Sequence, residues 1–175
     1  MKIANFELPR YKEEWIAWIN YFLRKTFYRP PNVKIQRDGK PYLDRWHIIP
    51  RNRFFNIYLH HFLQSDHDEA LHDHPWCNVS LLLTGGYTEW VPVYAKNTYY
   101  YEENIKPIRR SRRGVVFRFG SSAHRIELDR DENGNEIPIW TLFITGPKYR
   151  EWGFYCKSAW THWINFDTFG GCSDD

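Results

Sequence analysis

"ALHDHPWCNVSLLLTGGYTEW", residues 70–90, sets two histidines one residue apart ahead of a proline, then an apolar run closed by Gly85 and Gly86. In an extended strand, alternate residues face the same side, so His72 and His74 direct their imidazoles toward one point. Imidazole is a ligand for Fe, Mn, Ni and Zn alike. The chain carries eight histidines, so an isolated His-x-His is a weak signal and its weight depends on what surrounds it.

The surroundings read as strand. "PYLDRWHII", "RFFNIYLHHFLQ", "NVSLLLTG", "GYTEWVPVY", "YYYEENI", "GVVFRFG", "HRIELD", "IPIWTLFITG" and "REWGFYC" are short, rich in aromatic and β-branched residues, and bounded by turns. "DENGNE", residues 131–136, is a hairpin loop by its Asn-Gly, and "TGPK", residues 145–148, is a further turn. Many short strands at regular spacing predict a sandwich or barrel. Ahead of them, Trp15, Ile16, Ile19, Phe22 and Leu23 recur at helical spacing, which predicts one amphipathic helix over about 11–27. Pro30 and Pro31 follow, where a helix cannot continue. The expected organisation is an N-terminal helix and linker over 1–40, a β-barrel over 41–165, and a flexible tail over 166–175.

A third ligand should come from a distant strand. "FGSSAHRIEL" supplies His124 just after a Gly-Ser-Ser turn, at the mouth of a strand. His72 and His74, a closing glycine at Gly85 or Gly86, then Gly114 and a lone His124 together resemble the two sequence motifs of the cupin superfamily. The wider pattern "YLHHFLQSD…LHDHPW…SLLLTGGYTE…RRG…HRIEL…WTLFITGPKYREWGFYC" is similar to small cupin-like proteins of bacteria and phages. The resemblance implies a mainly β, single-domain cupin, a double-stranded β-helix of jelly-roll type. It also implies a divalent transition metal held by His72, His74 and His124.

Where cupins carry a glutamate ligand, this chain has Asn78 or Val79, and Asp66 replaces the first motif's glycine. Leu128 stands in place of the second motif's asparagine. A site of three histidines alone is similar to that of thiol dioxygenases and some diketone-cleaving cupins, which makes Fe(II) the favoured ion. Zn, Ni or Mn are the other candidates, serving isomerisation or hydrolysis. The competing readings are a cupin that binds or sequesters a small ligand without catalysis, and a barrel whose histidines only hydrogen-bond.

If Gly85-Gly86 forms a two-residue hairpin turn, Leu82 pairs with Glu89, and Glu89 faces the barrel interior with Asn78. Glu89 is then a candidate acid or base beside the metal rather than a ligand to it. Arg118 and Arg125 flank the His124 turn and, with Asn78, are candidate substrate contacts, because guanidinium forks bind carboxylate and phosphate. "IRRSRRG" is read either as a solvated loop or as an anion patch at the barrel mouth. Trp152 and Phe154 read as core. His60 and His61 are adjacent in a strand, so only one faces inward, and both are assigned structural use.

Composition narrows the partners. The net charge of +3 and the acidic residues mixed throughout argue against nucleic acid, and a small anionic molecule fits better. No apolar run approaches the roughly 20 residues that span a bilayer. The first residues lack an apolar signal region, and three scattered cysteines are too few for a disulfide framework. These features lead to the expectation of a reducing, cytoplasmic setting. A homodimer through the apolar helix face is compatible with the cupin resemblance.

Overall fold

The computed structural model describes residues 28–37, 39–66, 70–93, 104–157, 159–169 and 171–172. The expected helix over 11–27, most of "YYYEENI" and His67 lie outside the described residues. The chain divides into two units, 1–31 and 32–175, and every described strand lies in the second.

That unit is built from antiparallel strands. The first sheet has the order β1 (Val33–Arg37), β2 (Lys40–His47), β3 (Asn56–Phe62), β10 (Ile139–Thr145), β5 (Asn78–Leu82), β8 (Val115–Arg118). A second set comprises β7 (Ile105–Ser111), β6 (Gly86–Pro92) and β9 (Arg125–Leu128). A third comprises β4 (Leu71–His72), β11 (Gly153–Tyr155) and β12 (Trp160–His162), followed by the short helix α1 (Trp163–Phe169). An antiparallel bridge between His72 and His124 joins the second and third sets, with N–H···O distances of 2.8 and 2.9 Å in the two directions. The metal-ligand candidates therefore sit at the seam between two small sheets. This is a mostly β architecture of antiparallel sheets.

Alternation explains which residues turn inward. On β5, Asn78, Ser80 and Leu82 are buried while Val79 and Leu81 are only partly covered. Register carries that parity across the first sheet: Ser80 lies opposite Phe143 and Val116, and His60 lies opposite both Arg45 and Thr141. One end of the interior is closed by Phe62, Leu82 and Ile139 from the first sheet against Tyr87, Ile126 and Leu128 from the second. Burying each such side chain contributes about 1.5–3 kcal/mol, so this plug holds the two sheets together.

Several elements differ from the sequence expectation. Strand β1 begins at Val33, ahead of the expected boundary at 41, because Val33 and Ile35 pair with Arg45 and Leu43 and alternate in burial. β5 and β6 do not form a hairpin. β5 pairs with β10 and β8, while β6 pairs with β7 and β9, so Gly85-Gly86 carries the chain from one sheet to the other. Gly85 takes φ +64°, and a Cβ there would lie 2.8 Å from Ile139 Cγ2.

"IRRSRRG" is neither a loop nor an open patch along its whole length, since Arg109 and Arg110 lie on β7 and face carboxylates. The segment after 165 continues as α1, with Phe166 buried and Cys172 joined to Cys156 in a disulfide. Disulfides persist in oxidising compartments, so this pairing does not support the reducing setting read from the cysteine count. No helix among the described residues is long and apolar enough to cross a membrane.

Candidate metal centre

His72, His74 and His124 each offer a ring nitrogen, and the three nitrogens lie within 4.8 Å of one another. His72 ends β4, His74 follows it on the same face, and His124 arrives from the turn before β9. The Nε2 atoms of His74 and His124 are 2.9 Å apart. Two nitrogens bound at right angles to one ion, each at about 2.1 Å, would sit about 3 Å apart, so the pair is spaced for a shared ion.

The other face of His124 bears on its tautomer. Its Nδ1 lies 3.2 Å from Glu89 Oε1, a charge contact without hydrogen-bond geometry that favours the proton on Nδ1 and the lone pair on Nε2. Burial, then the Arg118 charge, hold the His124 imidazolium down to a pKa of about 4, although Glu89 pulls the other way. Burial lowers His74 well below the usual histidine value too, with the neighbouring His72, His124 and Arg118 charges acting in the same direction. Both rings are neutral near pH 7, the state in which imidazole binds a metal. These residues fit a divalent ion.

Carboxylates stand behind the histidines rather than among the ligands. Glu89 is 1% exposed. Arg118 Nε and Arg110 Nε each donate to it at 2.6 Å, through Oε1 and Oε2 respectively. Burial alone would raise the Glu89 pKa, but bonds and charges from His124, Arg118 and Arg110 outweigh it and hold the group well below the usual carboxylate range. Glu89 faces the interior as expected, but through the β6 register with β9 and β7 and not through a Gly-Gly hairpin.

Asp66 takes the corresponding place near His72, with Oδ2 3.7 Å from Nδ1. It accepts from Tyr42 Oη and, at 2.6 Å, from the backbone N–H of Ile126. Asp73, between the two histidines, faces the opposite way and is fully buried. It accepts from Arg150 at 2.5 Å, from the Gly153 N–H at 2.8 Å and from Tyr155 Oη at 3.1 Å. Sequence reasoning gave Asp66 and Asp73 no role. The signal that was available is the alternation itself, because a charged residue flanked by two inward histidines must be paired wherever it is buried.

The three histidines open onto a cavity of about 620 Å³ between the sheets. Arg118 lines it, 5% exposed and tied to Glu89. Trp152, Phe154, Trp163 and Phe166 also contribute to the wall, so the aromatic C-terminal segment, read as core, is a cavity surface. Phe154 and Phe166 stack with centroids 3.6 Å apart. His60 turns into the cavity, while His61 stacks on Trp140 at 4.1 Å.

Asn78 and Arg125 are not part of the wall. Asn78 is buried opposite Thr145 and Arg118, and Arg125 lies over the Trp90 ring at 5.2 Å. Cys77 also lies outside the wall, with Sγ 3.7 Å from Tyr149 Oη.

No family model matches the chain, and no curated protein matches it. Among solved structures, HppE in its Fe(II) form with an alternative substrate is similar at a TM-score of 0.48 and 16% identity, covering 67% of this chain and 56% of that one. The chain thus spans about half the length of HppE. A cupin superfamily protein from Desulfitobacterium hafniense gives a TM-score of 0.40 at 12% identity, covering 66% of this chain and 84% of that one. The DMSP lyase DddQ from Ruegeria pomeroyi gives 0.46 at 12%, covering 82% of this chain and 67% of that one.

Proposed function

We propose that this chain is a metal-dependent cupin enzyme acting on a small anionic molecule, with Fe(II) as the favoured ion and dioxygenase chemistry as the favoured reaction. The observation that carries this reading is the convergence of His72, His74 and His124, with Glu89 behind the His124 ring, at the wall of a cavity of about 620 Å³. A ligand set of three neutral imidazoles leaves the ion's full positive charge available to a chelating anion. When bound, the metal would supply Lewis-acid polarisation of the substrate and, as Fe(II), activation of dioxygen.

The chain's own residues do the rest. Glu89 holds the His124 proton on Nδ1 and is a positioning residue rather than the acid or base suggested by sequence. Arg118 neutralises Glu89, which keeps that carboxylate from competing for the ion. Trp152, Phe154, Trp163 and Phe166 give the cavity an apolar lining, which strengthens electrostatic contacts beside it.

The test is oxygen uptake by iron-loaded protein across a panel of small carboxylates, thiols and diketones. Uptake by wild type with at least one anionic chelator, and none by His124→Ala, is the expected result. No uptake across the panel would remove the dioxygenase reading and direct attention to hydrolysis or isomerisation with zinc, nickel or manganese.

A further inference from the structure

Arg45 stands out on the cavity wall. It lies on β2, opposite His60 on β3, and both side chains line the cavity that His72, His74 and His124 share. Arg45 Nε donates to His60 Nε2 at 2.9 Å, and the guanidinium lies 5.1 Å from the Tyr58 ring centroid. Among the described residues no carboxylate comes within ion-pair reach of it. Its neighbour Asp44 faces the other side of the sheet with His61, and Asp66 is engaged by Tyr42 and the Ile126 N–H. A half-buried cation without a counter-ion is costly unless something supplies the missing charge.

His60 adds a second unmet group. Because Arg45 donates to Nε2, that nitrogen is the acceptor and Nδ1 carries the proton. Nδ1 is buried without a hydrogen-bond partner, and His60 is 3% exposed. The ring is fixed between Tyr58 and Phe143, with centroids at 5.7 and 5.0 Å. Phe143 also lies 6.1 Å from His74, so the two subsites share a wall. Both unmet groups are donors, and neither offers an acceptor.

We infer that Arg45 and His60 form an oxyanion subsite in the cavity that the three histidines share, next to them along the Phe143 wall. The substrate is then a small molecule with a metal-chelating end and a carboxylate or phosphonate at the other end. The guanidinium takes two oxygens of the anion through its terminal nitrogens, and His60 Nδ1–H supplies a further donor. Arg118, expected from sequence to be the anchor, is already spent on Glu89. Arg37, also on the wall, donates to Gln64 and lies over the Tyr42 ring, so Arg45 is the wall arginine that stands beside a second unmet donor. This inference deepens the function proposed above and rests on it for the chelating end.

The test uses Co(II)-loaded protein and three hydroxamates. Acetohydroxamate has a neutral tail, succinate monohydroxamate carries a carboxylate, and phosphonoacetohydroxamate carries a phosphonate. Wild type should bind at least one charged-tail compound about tenfold or more tighter than acetohydroxamate, the size of a charge-assisted hydrogen bond. The preferred tail identifies the oxyanion. In Arg45→Met the ratio should fall to near one, and Arg45→Lys, which keeps the charge but not the fork, should fall in between.

A wild-type ratio near one, or a ratio that survives Arg45→Met, would overturn the subsite. If Arg45→Met does not fold, the wild-type ratio and its decrease in Arg45→Lys decide. Cobalt uptake is followed separately by its visible absorption. If cobalt does not load, the metal reading fails, and titration of the metal-free protein with succinate tests the subsite alone. Saturable binding weakened in Arg45→Lys supports it, and absence of binding overturns it.

Discussion

Glu89 Oε1 lies 3.2 Å from Nδ1 of His124, behind the ring and away from the cavity. On the proposed function, the carboxylate acts on the ion through the imidazole, by favouring the tautomer that leaves Nε2 free. Glu89→Gln can still accept at Nδ1 but loses the charge that favours ligation, and it leaves Arg118 buried without its partner. Metal affinity should fall about 10–100-fold, and stability should drop by about 3–5 kcal/mol because a buried ion pair is broken. Competition with a chromophoric chelator, beside denaturant unfolding, checks both. Unchanged affinity would contradict the positioning role.

Acid should destabilise the metal-free protein in a definite window. His124 is held down to a pKa of about 4 by burial and Arg118, against about 6.5 in the unfolded chain. Between those values the unfolded state binds more protons, so stability is fully present above about pH 6.5 and is lost as pH falls toward 4. The His124 contribution is about 3 kcal/mol, and His74, also lowered, acts in the same direction. Glu89, held below the usual carboxylate range, adds a further loss below about pH 4.5. Unfolding free energies measured from pH 7 to 4 should decline throughout, and a flat profile above pH 5 would contradict the burial of neutral histidines.

Asp73 fixes the strand that carries two of the ligands. Asp73→Ala would leave the Arg150 guanidinium with only the Gly120 and His74 carbonyls and the Gly153 N–H without its acceptor. Arg150 is partly exposed, so water recovers some of the loss, and the expected destabilisation is about 2–3 kcal/mol. Metal affinity should fall as well, since β4 pairs with β11 through the residues that Asp73 ties down. Denaturant midpoints and metal titration of the variant measure the two effects, and a change in neither would show that Asp73 has no such role.

The histidine triad was legible because strand alternation and a His after a distant turn are local patterns. The strands were legible for the same reason, with β-branched and aromatic runs between turns. What alternation could not supply was pairing. Glu89 was placed inward through a hairpin with β5 that does not form, since two adjacent strands can join different sheets and only long-range register decides. The arginines failed on the same ground. Arg118, Arg110 and Arg45 are alike as residues, and only their partners show that Glu89 takes the first two and leaves the third.

Asp66 and Asp73 lie within the quoted motif region, yet their roles depend on Tyr42, Ile126, Arg150 and Gly153, which are far along the chain. Cys156 and Cys172 pair because α1 turns back onto β11, a contact that spacing alone does not specify.

The central claim is that three histidines hold one metal ion. Elemental analysis of protein purified without added metal or chelator, wild type beside His124→Ala, tests it most directly. Near-stoichiometric divalent metal in wild type, iron above all, and its loss in the variant is the predicted result. No metal in either protein, even after anaerobic reconstitution with Fe(II), would contradict the account.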